Sequence, residues 1–181
     1  MKGFKMTKLC EMGIHNTETL DYAYILFDAI KEFYDNEKDY FYPAEGRERG
    51  IVFRIAHILS NRLENKYSVY VDCEANRCNG DSKRVPANSF WRELLKAEFI
   101  TPDLIIHKRN GESYVAVEFK TSPRNMKHDY EKLAFLTADK GKYLNGSFPT
   151  YDLGLSILLG NDGIREVKCF VNGKEYQFDA Q

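Results

Sequence analysis

The sequence has few cysteines, and they do not form a recognisable framework. Its four cysteines, Cys10, Cys73, Cys78 and Cys169, are scattered over 181 residues, unlike the dense pattern of a small disulfide-bonded secreted domain. Cys73 and Cys78 would supply half of a zinc site, but the sequence has no second closely spaced cysteine pair to complete it. We therefore expect free thiols in a reducing compartment.

Long apolar runs are also missing from the sequence. No stretch approaches the roughly 20 apolar residues that a membrane-spanning helix needs. Residues 1–10 alternate lysines with apolar residues, which differs from the continuous apolar segment of a signal peptide. These absences predict a cytoplasmic protein that makes no membrane contact.

An excess of positive charge is the third missing feature. The net charge is −1, so composition alone does not support a nucleic-acid partner, although a local basic groove would be sufficient for one. Hydrophobic residues make up 43% of the chain, which is enough to build a core. The length favours a single domain that covers residues 1–181.

Hydrophobic periodicity predicts an alternation of helices and strands. Apolar residues recur at helical spacing in some segments and alternate with polar residues in others. Asn16 or Thr17 is a suitable cap for the first helix, and residues 35–39 are expected to form a charged loop after it. The order of elements predicts a mixed α/β sandwich around one sheet. The predicted helices are 17–34, 46–63, 89–97 and 125–139, and the predicted strands are 67–73, 102–108, 113–120, 151–159, 167–171 and 175–178.

The segment from Pro102 to Lys120 is the most informative part of the chain. Asn110-Gly111 separates two apolar runs, which is typical of a tight β-hairpin. With these two residues in the turn, Arg109 faces Glu112, and Asp103 then lies directly opposite Glu118. Residues paired in this way point to the same face of the sheet, with their Cβ atoms roughly 5 Å apart.

Two carboxylates that face each other across a strand pair repel, so this pairing calls for a compensating charge. Lys120 follows Glu118 by two residues and therefore projects from the same face. Protonation of one carboxyl, a nearby cationic side chain or a bound metal would relieve the repulsion. In the simpler interpretation, Asp103 and Glu118 are ordinary strand-end residues, and Lys120 is their salt-bridge partner.

These residues also carry a resemblance to a known family. Pro102-Asp103, followed by Glu118-Phe119-Lys120, resembles the signature of the PD-(D/E)XK nuclease superfamily, the restriction-endonuclease-like proteins. The resemblance implies a mixed sheet flanked by helices, with a helix, three strands, a helix and a fourth strand as its core. The predicted elements from 46–63 to 151–159 follow that order, with helix 89–97 as an insertion, an extra N-terminal helix and a C-terminal β-hairpin.

The resemblance also implies a set of roles at the site. Asp103, Glu118 and the backbone carbonyl of Phe119 would hold Mg²⁺, for which Mn²⁺ is an expected substitute. Lys120 would orient the attacking water or help to deprotonate it. A glutamate from the first core helix commonly completes such sites, and Glu48 matches best, with Glu45 as the second choice. Mg²⁺ chemistry agrees with this set, because Mg²⁺ prefers hard oxygen ligands and lowers the pKa of its bound water.

The resemblance therefore predicts a Mg²⁺-dependent nuclease that hydrolyses phosphodiester bonds in DNA. One alternative is a nuclease-like domain that no longer cuts and serves as a nucleic-acid-binding or assembly module. Another is a phosphoesterase directed at RNA or at a small molecule. The sequence is compatible with either a monomer or a homodimer.

Overall fold

Two long helices form near the N-terminus of the chain. The computed structural model describes residues 14, 16–41, 47–74, 77–78, 81–82, 90–96, 100–109, 111–138 and 150–178. Helix α1 spans Thr17–Asn36, and the Asn16 side chain caps it by accepting a hydrogen bond from the Glu18 N–H. Helix α2 spans Glu48–Tyr67. None of the described helices is long and apolar enough to cross a membrane.

The boundaries of these helices differ from the prediction at their C-terminal ends. Residues 35–39 do not form a simple charged loop, because α1 continues to Asn36 and a short 3₁₀ helix, Lys38–Tyr40, follows. Helix α2 continues to Tyr67, which had been predicted to begin a strand, and ends at Ser68 in the left-handed region. The Tyr67 ring packs edge-on against Tyr22 of α1, with their centroids 5.7 Å apart. This tertiary contact keeps Tyr67 in the helix despite its preference for strands.

The rest of the described chain forms a mixed six-stranded sheet and two shorter helices. The sheet order is β1-β4-β5-β6-β7-β8, with β5 and β6 parallel and every other neighbouring pair antiparallel. The short strands β2 and β3 pair separately. The strands are β1 (Tyr70–Cys73), β2 (Arg77–Cys78), β3 (Asp81–Ser82), β4 (Leu104–His107), β5 (Ser113–Lys120), β6 (Leu153–Leu159), β7 (Ile164–Val171) and β8 (Lys174–Phe178), and the helices are α3 (Phe90–Leu95) and α4 (Met126–Leu136).

The predicted register of the β4–β5 hairpin is confirmed. Leu104 pairs with Val117, Ile105 with Ala116, and Ile106 with Val115. This is the alignment that directs Asp103 towards Glu118 beyond the end of the ladder.

The turn of the same hairpin differs from the prediction. The Lys108 N–H donates to the Glu112 carbonyl at 2.8 Å, so Arg109 does not face Glu112, and three residues rather than two form the loop. A β-bulge between Ile106 and His107 adds the residue that restores the register. Asn110 lies outside the described residues.

The two faces of the sheet are covered by different helices. Val115, Val117 and Phe119 belong to the core that α1 and α2 build, whereas Ala116 packs with the apolar side of α4. Because side chains alternate along a strand, Glu118 shares the α4 face with Ala116. The fold therefore directs a carboxylate into the layer between the sheet and α4.

Candidate metal centre

Six ionisable side chains meet where the β4–β5 ladder ends and helices α2 and α4 begin. We call them the charged cluster. It contains four acidic residues and two lysines, so its net charge is −2 when all are ionised. The charged cluster consists of Glu48, Asp103, Glu118, Lys120, Asp129 and Lys132.

Asp103 lies immediately before β4, and its side chain makes the next hydrogen bond after the last backbone pair of the β4–β5 ladder. Its Oδ2 accepts a hydrogen bond from the Phe119 N–H at 2.8 Å, in the place where a backbone carbonyl would otherwise bind. Burial raises the pKa of the Asp103 carboxyl, although the Phe119 N–H and the ammonium groups of Lys120 and Lys132 act in the opposite direction. The charged form of Asp103 is therefore less favourable in the folded protein than it would be in water.

Glu118 is the most deeply buried member of the charged cluster, with 0% of its surface exposed. Its Oε1 lies 2.6 Å from the Lys132 Nζ, while Oε2 has no hydrogen-bond partner among the described residues. Burial raises the pKa of the Glu118 carboxyl well above its ordinary value, Lys132 opposes that rise, and the charge of Asp103 adds to it. A buried carboxylate oxygen without a partner is costly, and a further electropositive group beside it would remove that cost.

Lys120 and Glu48 form the solvent side of the charged cluster. The Lys120 Nζ lies 3.2 Å from the Asp129 Oδ2 and 3.4 Å from the Glu48 Oε1. Burial alone would lower the pKa of Lys120, but the carboxylates of Asp129, Glu48 and Asp103 outweigh it and raise the pKa. Lys120 is therefore a charged ammonium group held between two carboxylates.

Glu48 reaches the site from the first turn of α2, where the helix dipole favours a negative charge. Its Oε2 accepts a hydrogen bond from the Thr121 N–H at 3.1 Å, directly after β5. The structure thus places Glu48 beside Lys120, as the sequence predicts. Glu45, the second choice for this position, lies outside the described residues.

Sequence reasoning missed two members of the charged cluster, Asp129 and Lys132 of α4. Asp129 contacts both lysines, with Oδ2 near Lys120 and Oδ1 at 3.3 Å from the Lys132 Nζ. One signal was available, because Asp129 interrupts the buried stripe that Met126, Leu133 and Leu136 form on this helix. A charged residue in an apolar helical stripe indicates a buried partner of opposite charge.

Four members of the charged cluster line two clefts that open to solvent, and Glu48 lines both, whereas Glu118 and Lys132 line neither. A cleft of about 490 Å³ runs past Lys120, Asp129 and Arg124, and a smaller one of about 180 Å³ runs past Asp103 and Arg49. A larger cleft, of about 590 Å³, lies at the opposite end of β5 near Glu112 and contains no member of the charged cluster. Size alone therefore does not identify the site.

Carboxylate oxygens are the type of ligand that a hard divalent cation prefers, but the carboxylates of the charged cluster are not grouped around one point. Among the described residues, no three histidine, cysteine, aspartate or glutamate side chains are grouped closely enough to hold a metal ion. The two lysines lie between the carboxylates instead. Asp103 and Glu118 would hold the cation, since Glu118 offers an unpartnered oxygen and a divalent ion would cancel the net charge of −2.

Replacing Asp103 by asparagine is expected to stabilise the metal-free protein at neutral pH by up to about 1 kcal/mol. The variant keeps an oxygen for the Phe119 N–H and removes the cost of burying a charged group, which is the main cause of the raised pKa of Asp103. It also loses both the attraction to Lys120 and Lys132 and the repulsion from Glu48. Because the folded protein raises the pKa of Asp103 above 3.8, the stability of wild type should fall relative to the variant as the pH rises above about 4. Urea unfolding in EDTA at several pH values measures this difference, and a variant less stable than wild type at pH 7 would contradict it.

Comparisons with models of protein families, with curated proteins and with solved structures found no match to this chain.

Proposed function

We propose that this protein is a metal-dependent nuclease with a restriction-endonuclease-like core, which hydrolyses phosphodiester bonds in DNA with Mg²⁺. The observation that carries the proposal is the buried, partly unpartnered Glu118 carboxylate, with Asp103 at the end of the neighbouring strand and Lys120 on the same face of β5. A carboxylate pair beside a lysine at an open cleft is suited to binding a hard cation and placing a water molecule.

The order of elements supports the core assignment. The proposed core runs α2, β1, β4, β5, α4 and β6, with β1, β4 and β5 antiparallel and β6 parallel to β5. Helix α1 is then the N-terminal addition, β7 and β8 form the C-terminal hairpin, and α3 with β2 and β3 is an insertion.

The backbone of Phe119 supports its proposed role as a further ligand. The N–H and C=O of one strand residue point to the same neighbouring strand, so the Phe119 carbonyl faces the side where Asp103 binds its N–H. The residue that continues the register opposite Phe119 is Pro102, which has no N–H to donate to that carbonyl. The Pro102-Asp103 pair therefore supplies one carboxylate and leaves the Phe119 carbonyl oxygen without a backbone donor from β4, so that it is available to a metal ion.

Lys120 is suited to hold the attacking water rather than a metal ion. Its ammonium group carries only donors, and Asp129 and Glu48 hold it in place on the carboxylate side of β5. When bound, Mg²⁺ would lower the pKa of a water and stabilise charge on the phosphate. Lys120 would orient that water and stabilise the developing negative charge.

The cleft next to Lys120 supports a phosphodiester substrate. Ser122, Arg124 and His128 line it together with the charged cluster, and Arg49 lines the smaller cleft on the other side of Glu48. Arginine and hydroxyl groups bind phosphate oxygens, which a chain with a net charge of −1 must do through local contacts. We place the DNA backbone along this path.

One observation favours the alternative of a nuclease-like module that binds nucleic acid without cutting it. Lys120 and Lys132 already neutralise part of the charged cluster without any metal. A cluster whose carboxylates are paired with its own lysines can stabilise the fold without binding a metal or cutting a substrate. The two functions differ in their response to metal.

Metal-dependent stabilisation is the direct test of the proposal. Mg²⁺ or Mn²⁺ at a hundred times its Kd should stabilise the protein by about 2.7 kcal/mol, because the cation binds the folded state alone. The same preparation should nick supercoiled plasmid DNA in the presence of either ion and leave it intact in EDTA. DNA binding without cleavage of any single- or double-stranded DNA would favour the non-cutting module, and cleavage of RNA alone would replace the DNA assignment.

A further inference from the structure

Lys132 contacts the buried Glu118 carboxylate more closely than any other described side chain does. Its Nζ lies 2.6 Å from the Glu118 Oε1, and only 17% of the Lys132 side chain is exposed. Lys132 comes from α4, whereas the residues of the proposed nuclease signature come from β4 and β5. The proposed function does not use it.

A cationic group in this place has a clear electrostatic reason. A fully buried carboxylate is strongly destabilising unless a positive charge compensates it, and breaking such a pair leaves an uncompensated buried charge. In the metal-free protein Lys132 supplies that compensation. A divalent cation bound to Glu118 would supply it too, and would repel the ammonium group.

We infer that Lys132 takes the place of the metal in the metal-free protein. Its ammonium group pairs with the Glu118 carboxylate there and moves away when the cation binds. The inference rests on the proposed metal site at Glu118, but not on catalysis. It assigns Lys132 a role in setting metal affinity rather than in touching the substrate.

Asp129 lowers the free-energy cost of moving the Lys132 ammonium group away from Glu118. Its Oδ1 lies 3.3 Å from the Lys132 Nζ, one helical turn away on α4, so Lys132 already touches a second carboxylate. A lysine has a long, flexible side chain with three donors, which can shift from one acceptor to another without a change in the backbone. On leaving Glu118, the ammonium group would therefore keep a counter-ion.

The first test replaces Lys132 by methionine, which keeps the length of the side chain and removes its charge. Calorimetric titration with Mn²⁺ should show binding tighter than wild type by on the order of tenfold, because the repulsion between an ammonium group and a divalent cation is gone. The metal-free variant should melt at a lower temperature than wild type, and saturating Mn²⁺ should narrow the difference. Lys127→Met is the matched control, since Lys127 is an exposed lysine of the same helix outside the charged cluster.

A second test uses the wild-type protein and covers the case in which Lys132→Met does not fold. Lysines are acetylated with a small reagent, with and without Mg²⁺, and the extent of labelling at each position is measured by mass spectrometry. Lys132 should be labelled slowly without metal and faster with it, while Lys127 should be labelled equally in both conditions. Unchanged labelling of Lys132 at a Mg²⁺ concentration that saturates the thermal shift would overturn the inference.

The outcomes separate this inference from the proposed function. Weaker or unchanged Mn²⁺ binding by folded Lys132→Met would show that Lys132 supports the metal ligand or is unrelated to it, and would overturn the inference. Failure of both proteins to bind Mn²⁺ would overturn it together with the metal site. Tighter Mn²⁺ binding by the variant, with no cleavage of DNA by wild type, would support the inference and reject the nuclease.

Discussion

Replacing Lys120 by alanine is expected to slow phosphodiester cleavage by a factor of about 10² to 10⁴, the range typical of lost acid–base and positioning roles. An ammonium group cannot ligate a cation, so its contribution should appear in the chemical step rather than in metal binding. The fold should persist, because Asp129 keeps Lys132 as a counter-ion and Glu48 keeps its hydrogen bond from the Thr121 N–H.

Plasmid nicking in Mn²⁺, paired with calorimetric titration of the metal, measures both properties of the Lys120 variant. Lys127→Ala is the matched control, because Lys127 is an exposed lysine of α4 outside the charged cluster. Cleavage by Lys120→Ala at the wild-type rate would show that the role assigned to Lys120 is wrong, even if the fold and the metal site are right.

Replacing Glu118 by glutamine is expected to affect both metal binding and cleavage. The substitution keeps the shape of the side chain but removes the charge of the most buried carboxylate in the charged cluster. Loss of a residue that only orients a metal ligand costs about 10- to 100-fold in metal affinity, and loss of a ligand itself should cost at least as much. Cleavage should fall to background at any Mg²⁺ concentration that saturates wild type.

A thermal-shift titration distinguishes this ligand role from a purely structural one. Wild type should gain stability with Mn²⁺, whereas Glu118→Gln should show no gain over the same concentration range. Glu112→Gln is the control, because Glu112 lies at the far end of the same hairpin and pairs with Lys108. A full Mn²⁺ response in Glu118→Gln would remove Glu118 from the metal site.

The pH dependence of metal binding follows from the same residue. Burial raises the pKa of Glu118 well above its ordinary value, so a proton competes with the cation at a higher pH than it would at an exposed glutamate. Mn²⁺ affinity should therefore weaken as the pH is lowered from neutral, before ordinary surface carboxylates begin to protonate. Calorimetry between pH 5 and 8, roughly the range in which only perturbed carboxyls and histidines titrate, measures this.

The sequence alone determined the part of the site that depends on local periodicity. The alternation of side chains and the position of the turn were sufficient to align Leu104 with Val117, and hence to direct Asp103 towards Glu118. The predicted alignment is correct although the predicted turn is too short, because the bulge after Ile106 compensates for the longer loop. The helix that carries Glu48 was also predictable, since its buried residues Ile51, Ile55 and Leu59 recur at helical spacing.

Only the tertiary structure decided which charges surround Glu118. Lys132 and Asp129 lie on a helix that follows β5 in sequence, and nothing in their spacing indicates which face of the sheet that helix covers. The end of α2 at Tyr67 was decided in the same way, by the contact with Tyr22 of another helix. The physical reason is common to both: periodicity specifies which side of an element is buried, whereas packing against distant elements specifies what that side touches.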